Sequence, residues 1–133
     1  MNKTRNNELM RLADESLNHT GGVLFKQNSD TDIDSAYNGQ IASLGVSIAM
    51  SGLRPALAIY YQDTSSTKVN RRAILTVIAD MMCRDNFAGG EITNAQSLFR
   101  YSLRGNVDLN ALKREVEECS IALKQVVRTY NLV

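Results

Sequence analysis

The sequence has few of the residues that active sites and cross-linked scaffolds need. It contains no tryptophan, one proline, one histidine and two cysteines in 133 residues. Cys83 and Cys119 lie far apart, and no second cysteine or histidine pair accompanies either one, which excludes a disulfide scaffold and a structural zinc site. A catalytic Ser-His-Asp or Cys-His set would have to use His19, and no local signature supports one. We therefore expect no catalytic residue, no metal and no cofactor.

A strong overall charge is also missing. The chain has 15 lysines and arginines and 14 acids, so its formal net charge is +1. Any surface that binds nucleic acid must therefore be a local concentration of positive charge. The first eight residues are polar and lack the apolar core of a secretory signal. The uncharged run 35–53 is interrupted by polar side chains and does not resemble a membrane span. We expect a reduced, soluble, cytoplasmic protein with one domain over residues 1–133, no membrane contact and no small-molecule substrate.

What is present is a helical pattern along most of the chain. Apolar residues recur at spacings of three and four, and no strand-length alternation is found. The pattern predicts an all-α fold, a compact single-domain bundle of about six helices. Their predicted ranges are 4–26, 35–51, 55–62, 68–84, 94–103 and 109–131, with the second helix ended by Ser51-Gly52. Gly21 and Gly22 are expected to kink the first helix or end it early.

The last two helices carry recognisable start signals. Thr93 with Gln96 has the form of a capping box, and Asp108 is placed to cap the final helix. That helix has a heptad seam, which is typical either of a coiled-coil partner face or of packing on the chain's own core; we favour the core. The seam consists of Leu109, Leu112, Val116, Cys119, Leu123, Val126 and Tyr130.

Acidic residues give no metal or catalytic motif. Asp30, Asp32 and Asp34 have the alternation that opens a calcium loop, but the glycine and the bidentate glutamate of that loop are missing, so we expect them to stabilise a helix start. Glu115 and Glu118 lie on the last helix next to basic residues. We expect them to form ordinary surface pairs.

Positive charge is concentrated in residues 54–72, which contain four basic side chains and one acid. Arg54 follows a predicted helix end, and Lys68, Arg71 and Arg72 fall in the first turns of the next helix. Cations there oppose the helix macrodipole, whereas a bound phosphate would meet both the cations and the free N–H groups of the helix start. Taken alone, this cluster is either a phosphate-binding surface or a solvated face.

Two further basic pairs lie near helix ends. Lys124 and Arg128 are four residues apart near the end of the last helix, and Arg100 and Arg104 have the same spacing in the helix before it. The macrodipole favours cations at these positions, so stabilisation of the helix end accounts for both pairs. They would also widen a basic surface. Tyr60, Tyr61 and Tyr101 are interpreted as mostly core or half-buried.

Residues 37–61 carry a family resemblance. A tyrosine opens a helix that ends in the corner Ser51-Gly52-Leu53, and Ala-Leu-Ala-Ile-Tyr follows at residues 56–60. This segment resembles the signature of the small subunit of type III-B CRISPR effector (Cmr) complexes. The final helix, with Glu118, Ala122-Leu123 and Arg128, is similar to that family's last helix, although Gln125 is nearest to the position of a frequent tryptophan. Pro55 departs from the family pattern.

The resemblance implies a non-catalytic subunit in antiviral defence that stacks along the backbone subunits of the complex. Guide and target RNA and the other Cmr subunits would be its partners. We expect sequence-independent phosphate contacts from Arg54, Lys68, Arg71 and Arg72, with Lys124 and Arg128 as a secondary pair. The alternative is a helical interaction or regulatory module that dimerises through the C-terminal helix and binds no RNA.

Overall fold

Helices form most of the chain. The structure is a computed structural model and describes residues 1–63 and 69–133. Lys68 lies outside the described residues. Within those ranges there are six α-helices, a 3-10 turn at Phe87–Gly90 and two short strands. The helices are α1 Lys3–His19, α2 Ala36–Ser51, α3 Leu53–Gln62, α4 Arg71–Arg84, α5 Ala95–Ser102 and α6 Leu109–Val127. The strands are β1 Asp32–Ile33 and β2 Asn131–Leu132. The prediction of an all-α bundle of about six helices is confirmed.

Glycines with positive φ set two of the boundaries. α1 ends at His19, well before residue 26, because Gly21 and Gly22 adopt φ values of +78° and +68°, a conformation that L side chains rarely take. Gly52 has φ +91° and separates α2 from α3. Only that residue lies between the two helices, so Pro55 falls inside the first turn of α3, where its missing N–H costs no helical hydrogen bond.

Asparagine caps fix the starts of α4 and α5. The side chain of Asn70 accepts from the N–H of Ala73, so α4 begins at Arg71, three residues after the predicted start. In α5 the capping box is formed by Asn94 and Ser97, and the predicted pair Thr93 and Gln96 was wrong by one position. Asp108 caps α6 as predicted, since its carboxylate accepts from the N–H of Ala111 at 3.0 Å.

The heptad seam of α6 lies inside the molecule. Its five central side chains are buried, and α6 packs against α1, α2 and α4. The buried members are Leu112, Val116, Cys119, Leu123 and Val126. This confirms the interpretation of the seam as part of the chain's own core.

α2 is buried on one side and uncharged on the other. Its inward stripe consists of Tyr37, Ile41, Leu44 and Ile48. The opposite side exposes Val46 and Met50. No helix in the described ranges combines the length and the apolar character needed to cross a membrane.

The two strands were not predicted. α6 ends at Val127, four residues before the expected end, because the following segment extends and pairs in parallel with β1. The N–H of Asn131 donates to the carbonyl of Thr31 at 3.0 Å, and that of Val133 donates to Ile33 at 2.9 Å. Strands of two residues are too short to leave an alternation pattern in the sequence. Their pairing joins the end of the chain to the segment that precedes α2.

Candidate nucleic-acid interface

Arg71 and Arg72 are the first two residues of α4, as the sequence suggested. The Nε of Arg71 donates to the Oδ2 of Asp63 at 2.6 Å, and its guanidinium lies 5.1 Å from the centre of the Tyr60 ring. This ion pair offsets part of the charge of Arg71. No acidic residue occupies the first turn of α4. The partial positive charge of the N–H groups in that turn is therefore not neutralised by a carboxylate of the same helix.

Arg72 is held by a neutral acceptor. Its Nε donates to the backbone carbonyl of Tyr61, and its guanidinium carbon lies 4.1 Å from the centre of the Tyr61 ring. The Tyr61 ring also stacks on Phe99, with centroids 5.1 Å apart and planes inclined by 16°. Since neither contact involves an acid, Arg72 keeps its full positive charge in a fixed position.

Arg54 reaches from α3 to the end of α5. Its Nε donates to the carbonyl of Ser102 at 2.7 Å and its Nη2 to the carbonyl of Arg104 at 3.2 Å. The guanidinium thus satisfies carbonyls that the end of a helix leaves without partners. Arg54 therefore has a structural role, and no acid of the described residues pairs with it. We call Arg54, Arg71 and Arg72 the arginine corner, since Arg54 and the Tyr61 ring that carries Arg72 both contact α5.

The two arginines of the α5 region differ in their partners. The Nη2 of Arg104 is paired with the carboxylate of Glu91, and its guanidinium lies 5.0 Å from the Tyr101 ring centre. The hydrogen bond from Arg104 lowers the pKa of Glu91. Arg100 is exposed, lies 5.8 Å from the Phe99 ring centre and has no acidic partner among the described residues.

The secondary pair lies on α6. Lys124 lines a shallow cavity with side chains of α2 and α6, including Ile41 and Ile121. Arg128 is the exposed C-cap residue of α6. Neither side chain forms an ion pair within residues 1–63 and 69–133. In the same ranges no hydrogen bond, ion pair or ring contact connects the pair to the arginine corner, so Lys124 and Arg128 are not joined to it in one network.

A buried charged cluster was missed by the sequence reasoning. Arg5 of α1 donates to Asp85 at 2.8 Å, to Glu115 at 2.7 Å and to Glu118 at 3.3 Å. Only 7% of the Glu115 side chain is exposed. The expectation that Glu115 and Glu118 form ordinary surface pairs was therefore wrong. A signal was available, since Glu115 lies three residues after Leu112 and four before Cys119, within the buried stripe of α6.

The cluster contains one cation and three carboxyl groups, which perturbs its protonation. Burial, reinforced by the nearby Asp85, raises the pKa of Glu115 to about 8. Burial is the largest single effect on Asp85 and opposes its ionisation, but the hydrogen bonds with Arg5 and Glu115 and the charge of Arg5 together outweigh it and lower the pKa of Asp85. Burial also raises the pKa of the Cys119 thiol, whose Sγ lies 3.8 Å from the Oε2 of Glu115. One proton held by Glu115 reduces the repulsion among the carboxylates.

The chemistry available on these surfaces is ionic. No three His, Cys, Asp or Glu side chains of the described chain are placed to hold a metal ion. His19 is exposed at the end of α1. The arginine corner offers fixed guanidinium groups, which suit phosphate recognition.

Comparison with known proteins gave no relative. No family model, curated protein or solved structure matches the chain.

Proposed function

We propose that this chain is a non-catalytic small subunit of a type III-B CRISPR (Cmr) effector complex, which helps to hold guide and target RNA during antiviral defence. Other Cmr subunits would be its protein partners. The resemblance of residues 37–61 supports the family, and the all-helical fold is compatible with it. The RNA-binding part rests on one observation: Arg54 and Arg72 are held in place by backbone carbonyls instead of acids.

This anchoring leaves donors for phosphate. Arg72 uses only its Nε in the contact with Tyr61, and Arg71 uses only its Nε in the ion pair with Asp63. Terminal amino groups of a guanidinium bind phosphate oxygens in a bidentate manner, and the fixed side chains lose little further freedom on binding. Lys68 remains a phosphate contact on sequence grounds, and Lys124 and Arg128 remain a secondary pair on a separate part of the surface.

The ring contacts favour phosphate over base contacts. The Tyr61 ring already contacts both the Arg72 guanidinium and the Phe99 ring. These contacts compete with stacking of a nucleobase on Tyr61, although stacking is common in proteins that bind single strands. We expect binding without sequence preference.

A double variant of the arginine corner tests the proposal. Arg71→Gln/Arg72→Gln removes two charges and keeps most of each side-chain stem. We expect RNA affinity to fall by more than about tenfold near 0.1 M salt, since each single-strand phosphate contact contributes about 0.7 to the slope of log affinity on log salt. For the wild type, about four contacts predict a slope near −3. Fluorescence anisotropy with a labelled oligouridylate measures both quantities.

Lys113→Gln/Arg114→Gln is the matched control. This is an exposed, adjacent basic pair on α6, so the charge change is the same at a different place. Circular dichroism checks that all variants are folded. Equal loss of affinity in the two double variants would reject the assignment to the arginine corner. A stable dimer without RNA affinity at low salt would instead favour a protein-interaction module.

A further inference from the structure

We propose that the RNA-contacting surface continues from the arginine corner onto α5 through Arg100 and excludes Arg104. This inference rests on the proposed function and assigns a specific RNA contact to a residue for which the sequence favoured helix-end stabilisation. It depends on the contacts that connect Arg72 to α5 and on the different partners of Arg100 and Arg104.

The first step is the connection between α4 and α5. The guanidinium of Arg72 covers Tyr61, the Tyr61 ring stacks on Phe99, and Arg100 lies 5.8 Å from the Phe99 ring centre. Arg54 is attached to the same helix through the carbonyls of Ser102 and Arg104. The side chains of Arg72 and Arg100 therefore belong to one contact network, linked by a pair of stacked rings.

The second step is the charge that remains available. Arg104 pairs with Glu91 through Nη2, a terminal amino group that would otherwise be available to phosphate, whereas Arg71 pairs with Asp63 through Nε. Arg100 has only a ring contact, and no acid within the described residues accepts from it. Electrostatic attraction of phosphate therefore distinguishes two exposed arginines that lie four residues apart.

The third step is the class of ligand. Arg72 contacts the Tyr61 ring and Arg100 lies near the Phe99 ring of the same stacked pair, so a strand that crosses this ring pair would meet both guanidinium groups. The contacts of Tyr61 with Arg72 and Phe99 compete with stacking of a base there. The ligand that fits is the sugar–phosphate backbone of a single-stranded RNA, contacted without base readout.

The experiment compares Arg100→Gln with Arg104→Gln in the full chain. The probe is a fluorescein-labelled oligouridylate of about 12 nucleotides, measured by anisotropy between roughly 50 and 200 mM salt. We expect Arg100→Gln to weaken binding about fivefold near 0.1 M salt and to reduce the salt slope by about 0.7. Arg104→Gln should change the affinity by less than about twofold. Glu91→Gln should strengthen binding, because it releases the charge of Arg104.

The outcomes separate this inference from the proposed function. If Arg71→Gln/Arg72→Gln weakens binding and Arg100→Gln does not, the extension onto α5 is wrong and the arginine corner stands. Equal effects of Arg100→Gln and Arg104→Gln also overturn the extension, since the overall positive electrostatic potential of the surface would then account for both losses of affinity. If the wild type shows no affinity for the probe at low salt, the proposed RNA binding fails, and the extension fails with it.

Discussion

The carboxyl group of Glu115 belongs to a cluster with one cation and two other carboxyl groups. The members of this cluster come from three parts of the fold. Arg5 comes from α1, Asp85 follows α4, and Glu118 lies on α6 with Glu115 itself. The pKa of Glu115 is raised to about 8 by burial, so the folded state holds a proton that the unfolded chain releases near pH 4.5. The free energy of unfolding therefore decreases as the pH rises from about 4.5 to about 8, by at most about 1.4 kcal/mol per pH unit from this group. Asp85 acts in the opposite sense, because its lowered pKa adds stability that is lost as the pH falls below 3.8.

Replacing Glu115 tests this linkage. Glu115→Gln keeps a hydrogen-bonding side chain of the same size and removes the proton equilibrium, so we expect the decrease in stability between about pH 5 and pH 8 to become smaller. Urea denaturation at several pH values gives the free energy of unfolding for each variant. Glu117→Gln on the same helix, outside the cluster, should keep the slope of the wild type. If Glu115→Gln also keeps it, the buried carboxyl is not the group that titrates.

Local features of single residues could be predicted from the sequence, and distant partners could not. Arg71 and Arg72 were placed at a helix start because helix starts depend on neighbouring residues. The pairing of Arg71 with Asp63 was not foreseen, since it depends on the path of the connecting chain. Arg5 and Glu115 are separated by 110 positions, and no pattern within one segment reports such a contact.

At the scale of one helix, α1 contains two arginines with comparable partners and very different surroundings. Arg5 pairs with carboxylates of other elements, and 28% of its side chain is exposed. Arg11 pairs with Glu8 and Glu15 of its own helix, and 55% of its side chain is exposed. We expect Arg5→Gln to destabilise the fold by about 2–3 kcal/mol, because it leaves poorly solvated carboxylates without their cation. Arg11→Gln should cost much less than Arg5→Gln, because its ion pairs are exposed to solvent.

Urea denaturation of the two variants at pH 7 checks this prediction. Arg5→Gln/Asp85→Asn should recover part of the loss, since it removes the carboxylate whose pKa Arg5 helps to lower. Equal, small losses of stability in Arg5→Gln and Arg11→Gln would mean that the cluster does not stabilise the packing of α1 against α6.

The helices were predicted better than their ends. Periodicity over ten or more residues carries enough signal to reveal a helix, and the buried stripe of α2 and the seam of α6 were read correctly. The ends depend on single residues. At Gly21 and at Asn70 the end of α1 and the start of α4 lie several positions from the predicted ones. The strands depend on pairing between residues about a hundred positions apart, which no local pattern contains.

At the scale of the whole molecule, all six helices contribute to one group of buried apolar residues. The parallel pairing of β1 with β2 and the Arg5 cluster add connections between distant segments. The candidate RNA surface lies on α3, α4 and α5, whereas the Arg5 cluster joins α1 and α6 to the end of α4. The elements that carry the arginine corner are therefore supported by a core that the proposed ligand does not touch.

A shared core predicts that the molecule unfolds in one cooperative step. The buried Tyr37 and Tyr60 report on the interior, with no tryptophan to mask their fluorescence, and far-ultraviolet circular dichroism reports on the helices. We expect the two signals to give the same urea midpoint, because no helix can leave the common core without exposing apolar surface of its neighbours. Leu123→Ala, at a fully buried position of α6, should lower both midpoints together, with a loss of about 2–5 kcal/mol. Two separate midpoints would contradict this prediction and would mean that part of the bundle folds independently of the rest.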